Sequence, residues 1–171
     1  MPSNGYAATQ INTKRPNIRK NRCQSSTNAF SQPKSYMKTK PFLESSDTKA
    51  ILAAAEAEAL KNHWAVVIAV VDDGGHLLGM HRMDGVATIS AHIGPAKATT
   101  AALGRRESKV YEDVINNGRY SFLSAPYLQG MLEGGVPIIK DGQCIGAVGV
   151  SGVKSSEDAQ IAKAGIAALG L

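Results

Sequence analysis

Residues Ala65 to Val71 form an unbroken apolar run of seven, four of them valine and one isoleucine. Such β-branched side chains are stiff in a helix and fit a pleated surface, so the run reads as a strand. Successive side chains in a strand point to opposite faces. Here both faces are apolar. That excludes a sheet with one wet side and calls for cover above and below. The run is far short of the roughly 20 residues a membrane helix needs, so the chain is expected to be soluble, with no membrane partner and a cytoplasmic location.

The flanking sequence builds a sheet around this strand. Asp72-Asp73-Gly74-Gly75 is a turn signal, and His76 to Met83 returns as the antiparallel partner. In that partner Leu77, Gly79, His81 and Met83 face one way. His76, Leu78, Met80 and Arg82 face the other. Val136 to Lys140 and Cys144 to Ser151 read as two further strands joined through Asp141-Gly142-Gln143, and Met131-Leu132 suits a short fifth. Gly146 and Gly149 leave room for something to lie against the backbone.

Helical patterns occupy the gaps. The first starts at Ser45 or Ser46, propagates through Ala50 to Leu60 and stops at Asn62-His63. Ala87 to Leu103 holds Gly94-Pro95, so it either begins near Pro95 or bends there. Ser108 to Asn116 is a short helix stopped by Asn117-Gly118. The last starts at Ser155, with Asp158 completing a capping-box pattern, and runs to about Leu169. The order predicts an α+β fold: an antiparallel sheet of four or five strands in a three-layer α/β/α sandwich.

Net charge is +5, but it is unevenly placed. Residues 1–36 carry six basic residues and no acidic one, leaving 13 basic and 14 acidic residues in 37–171. The folded part therefore has no basic excess with which to hold nucleic acid. Residues 1–36 are polar, without a steady apolar period, and read as a disordered basic leader or extension. No apolar core of a secretory signal is present there. Residues 37–171 form the domain. The two cysteines, Cys23 and Cys144, suffice for neither a disulfide framework nor a cysteine zinc site.

The familiar catalytic signatures fail on spacing. No two histidines are four apart, which excludes the zinc-protease pattern. Gly146 to Gly152 has neither the dinucleotide spacing nor a following Gly-Lys-Ser, and Ser151 lacks the partners of a serine nucleophile. His76 and His81 lie on opposite faces of one strand and cannot chelate together. Lys97, on an alanine-rich helix, either snorkels or pairs with an acid. Glu133 stands beside Gly134-Gly135, where it could present a carboxylate to open backbone.

Five motifs in order carry a resemblance. They are Val70-Val71-Asp72 with Gly74-Gly75 and Leu77, Arg82-Met83-Asp84-Gly85, Ala96-Lys97-Ala98 with Thr100-Ala101, Gly134 to Ile138, and Ile145 to Gly152; the closing Glu157-Asp158 with Ile161-Ala162 and Ala164-Gly165 agrees. Over residues 42–170 the chain resembles the GlcG/HbpS family, which includes glycolate-operon proteins, haem-binding sensor partners and the C-terminal domain of PduO-type corrinoid adenosyltransferases. Gly94-Pro95 departs from the plain helix of that family. The resemblance implies a profilin-like sandwich, a homo-oligomer, often an octamer, and a small-molecule ligand, foremost haem or another tetrapyrrole.

On this reading His76, His81 or His92 ligates iron, and Lys97, Arg82 or Arg105 pairs with propionates. The macrocycle enters a slot floored by glycines. A different expectation is an enzyme, or an accessory to one, acting on small hydroxy acids or aldehydes in glycolate or diol and corrinoid metabolism. Glu133 or Asp158 would then be acid or base, with Lys97 and Arg82 as carboxylate clamp. A third is a structural oligomer without a ligand.

Overall fold

The structure is a computed structural model and describes residues 37–171. The leader expected in 1–36 lies outside the described residues. The element order is α1 (Ser45–Lys61), β1 (Val67–Asp72), β2 (Leu77–Arg82), α2 (Ser90–Gly104), α3 (Lys109–Asn116), a 3₁₀ turn (Tyr120–Ser124), β3 (Gly135–Lys140), β4 (Gln143–Ser151) and α4 (Ser155–Ala167). The strands form one antiparallel sheet in the order β2-β1-β4-β3.

The central strands obey the two-sided rule. Ile68 and Val70 of β1, with Val148 and Val150 of β4, pack against Ile51, Ala55 and Ala59 of α1 and Ile161 of α4. On the other face Val71 and Ala147 meet Ala98, Ala101 and Ala102 of α2. Layers of helix therefore cover both faces, as the apolar run requires.

The caps shift from their expected places. Glu44 begins α1, its N–H donating to Asp47 Oδ2 at 2.8 Å. Lys154 begins α4, its N–H donating to Glu157 Oε2 at 3.1 Å. Each cap is one residue ahead of the expected serine. Pro95 lies inside α2, which runs through it from Ser90.

The fifth strand is absent among the described residues, for a visible reason. Side chains satisfy the backbone that a strand partner would have served. Thr100 Oγ1 accepts from Gly130 N–H, Ser108 Oγ donates to the carbonyl of Leu132, and Glu112 Oε2 accepts from Glu133 N–H.

The glycines also have an occupant. A methyl group on Gly149 would fall on the carbonyl oxygen of Gly94 and the amide nitrogen of Ala98. One on Gly135 would fall on the carbonyl of Lys97, and one on Gly130 on the backbone of Ala96 and Lys97. The expected glycine-floored slot is thus filled from within: α2 covers Gly149, while a methyl on Gly146 would fall on the carbonyl oxygen of Val71 and the side chain of Leu43. The missing side chains admit helix backbone, and a macrocycle must seat elsewhere.

Candidate functional site

Strand β2 is an edge, and its face towards α1 carries Gly79 and His81. Gly79 allows close approach: a methyl there would stand 2.8 Å from Thr48 Cγ2 and 3.2 Å from Leu52 Cδ1. One step along, β2 and the C-terminal half of α1 frame a groove of about 340 Å³ lined by Glu56, Leu60, His81, Arg82, Met83 and Asp84. Leu60 is exposed, and Met83 packs against the core, so the walls are partly apolar.

Within this groove His81 Nε2 lies 3.2 Å from Glu56 Oε1. A carboxylate on one imidazole nitrogen fixes the ring and makes the other nitrogen a better metal donor. Arg82 lines the end of the groove, but it pairs with Val67, and its side chain leaves β2 on the face opposite His81, at the strand's edge. An imidazole oriented by a carboxylate, beside a partly apolar wall, can hold haem iron, so His81, Glu56, Leu60 and Met83 fit the group, with Asp84 as a second carboxylate at the rim.

Glu56 was not picked out from the sequence, and Leu60 was read only as part of the helix, not as a site residue. They precede His81 by 25 and 21 positions. Their one local signal is the spacing of Leu52, Glu56 and Leu60, which places them on one stripe of a helix.

Lys97 and Asp158 meet at a second place. Lys97 leaves α2 on one side of the sheet, and Asp158 belongs to α4 on the other. Lys97 Nζ donates to Asp158 Oδ2 at 2.8 Å, with the side chains 3% and 2% exposed. Val153 N–H donates to Asp158 Oδ1 at 3.2 Å. The pair passes beneath Gly134 (φ +121°), where a methyl would stand 2.8 Å from Nζ. Burial pushes the Asp158 carboxyl above its ordinary range, against the opposing pull of Lys97 and of Val153 N–H. Of the two readings of Lys97, pairing with an acid is the one observed. In this arrangement neither group is presented to a ligand, as propionate partner, clamp or acid–base group. Arg82 lines the β2 groove instead, so the clamp that required it beside a free Lys97 is not assembled.

The remaining candidates are dispersed. His76 follows the β1–β2 turn, largely in solvent, with Nδ1 3.1 Å from both oxygens of Asp72. His92 is exposed in the first turns of α2. Arg105 caps the far end of α2 with φ 54°. Glu133 is half-buried before β3 and is held through its backbone by Glu112.

Residues 43–167 match the model described as "Haem degrading protein HbpS-like". Protein GlcG of Escherichia coli K12 is 60% identical over 115 residues, 67% of this chain and 85% of that protein. The crystal structure of a double mutant of HbpS from Streptomyces reticuli superposes with a TM-score of 0.72 at 27% identity, covering 80% of this chain and 93% of that one. The crystal structure of a PduOC–haem complex gives a TM-score of 0.69 at 30% identity, covering 75% and 95%.

Proposed function

Because the chain belongs to the HbpS-like family, whose model spans residues 43–167, we propose that it is a haem-binding protein and that haem docks in the β2–α1 groove. The observation that carries this reading is the His81–Glu56 pair at 3.2 Å, set in a partly apolar groove beside Arg82. The haem complex of a structural neighbour supports the choice of ligand. His81 would hold the iron, Glu56 would orient the His81 ring, Leu60 and Met83 would shield part of the macrocycle, and Arg82 would meet a propionate by reaching round the end of the edge strand from the opposite face. The group itself would supply iron-centred redox or ligand-binding chemistry.

The same proposal extends to setting. It includes an accessory role in glycolate or diol and corrinoid metabolism, in the cytoplasm; the corrinoid part is supported by 30% identity over 145 residues to the corrinoid adenosyltransferase PduO of Salmonella typhimurium, of which this chain spans 43%. The apolar residues left exposed on the edge strand, Leu77, Leu78 and Met80, support assembly into a homo-oligomer.

The test is a haem titration read at the Soret band. The wild-type chain should saturate. His81→Ala should shift the band and weaken binding by at least about tenfold, and Glu56→Gln should weaken it by about tenfold. His92→Ala, whose histidine lies outside the groove, should behave as wild type. A titration that never saturates, or an unchanged band in His81→Ala, rejects the assignment.

A further inference from the structure

We infer that the pocket at the hairpin end of the sheet is a binding site for a small oxyanion, phosphate or a small carboxylate. This cavity of about 220 Å³ is lined by Lys40, Arg105, Ile139, Gly142, Gln143 and Cys144. Three separate parts of the chain converge on it: the segment entering α1, the residue that caps α2, and the β3–β4 hairpin.

Its walls carry two cations and no carboxylate. Among the described residues Arg105 makes no ion pair and no side-chain hydrogen bond, while Lys40 is held by Asp73 alone. Arg105 also sits in the left-handed region (φ 54°), at a helix end where glycine would be unstrained. The fold bears that strain with an arginine in place. The result is a planar fork of donors able to grip two oxygens of one anion. Lys40 adds a point charge, and the Gln143 amide a neutral donor. Ile139 and the buried thiol of Cys144, which donates to the Ala102 carbonyl at 3.7 Å, supply the less polar walls.

Size selects the ligand class. The volume falls below the roughly 300–1,000 Å³ of pockets for drug-sized molecules, so it suits a small anion and excludes a macrocycle. The site is also separate from the haem groove. On β1, Val67 pairs with Arg82 at one end, while Asp72 pairs with Gly146 at the other, next to the hairpins. The five residue steps between those ends span roughly 17 Å.

Thermal melts of the full chain in inorganic phosphate and in malonate, each against sodium chloride of equal ionic strength, test this. At least one anion should raise the melting point saturably beyond chloride, and the anion saturating at the lower concentration identifies the source chemistry. Arg105→Gly suits the φ of that position, so the variant should fold and melt no lower than the parent without ligand, yet lose the rise. Lys61→Met, on the exposed end of α1, should keep it. In amide correlation spectra of the wild-type chain, Gly142 and Gln143 should shift with the same saturation. A rise no greater than chloride gives, an unaltered curve in Arg105→Gly, or shifts confined to other residues overturns the inference.

Discussion

Replacing Lys97 with methionine removes the ammonium while keeping most of the side-chain volume. Asp158 is then left 2% exposed, with the Val153 N–H as its remaining partner. Removing one member of a buried pair costs about 3–5 kcal/mol, against a total stability of about 5–15 kcal/mol for a domain. The pH dependence follows from the direction of the Asp158 shift. Burial already holds its carboxyl above the ordinary range, and losing the ammonium moves it further up. A carboxyl whose folded pKa exceeds its unfolded value, near 3.9, contributes fully below that value and loses its contribution as pH rises through the folded one. The variant's deficit should therefore be largest at neutral pH and shrink in acid, where Asp158 is neutral. Urea unfolding followed by Trp64 fluorescence reads both effects. With a slope of about 2 kcal/mol/M, the neutral midpoint should fall by about 1.5–2.5 M. Lys97→Met with Asp158→Leu should recover to within about 2 kcal/mol of the parent, because no buried charge is stranded. A deficit in the single variant below about 1 kcal/mol, or one insensitive to pH, refutes the reasoning.

Gly149→Ala should destabilise by about 1–3 kcal/mol or more, because the methyl meets α2 backbone; an unchanged thermal melt would contradict the packing described. Asp72 is held below the ordinary carboxylate range: burial raises it, but the backbone N–H groups of His76 and Gly74 and the His76 ring outweigh that. Its contribution is thus present above the unfolded value and lost as pH falls through the folded one, so the stability gap between wild type and Asp72→Asn should close below about pH 4 in urea melts. Leu78→Lys places a charge on the exposed edge strand and should reduce the oligomer mass in sedimentation; an unaltered mass would move the interface elsewhere.

Much of the scaffold was legible because local chemistry dictates it. The Ala65–Val71 run demanded two covered faces, the Asp72–Gly75 turn demanded a hairpin, and Asn117-Gly118 stopped α3. The fifth strand was misread because Met131 and Leu132 have the composition of a strand. Their neighbourhood is held instead by Thr100, Ser108 and Glu112, from 21 to 30 positions away. The site was less legible for the same reason. His81 could be proposed because it adjoins the Arg82–Gly85 motif, but Glu56 could not, since nothing local ties α1 to β2. Lys97 and Asp158 were both singled out, yet only the folded chain shows that 61 positions close to 2.8 Å. The glycines were read correctly as places of close approach. At Gly149 the visitor is a helix of the same chain, and at Gly146 it is Val71 and Leu43.

That helix rests on the sheet at main-chain distance, which restricts how the protein can diverge. A core position lined by leucine or valine can exchange one hydrocarbon for another of similar size. Positions 130, 135 and 149 have no smaller residue to exchange for and no space for a larger one. In a saturation library they should accept nothing, while exposed positions such as Lys61 and Ser156 on the helix surfaces drift freely. Remodelling this protein for a new guest would therefore begin at its rim, with α2 left where it lies.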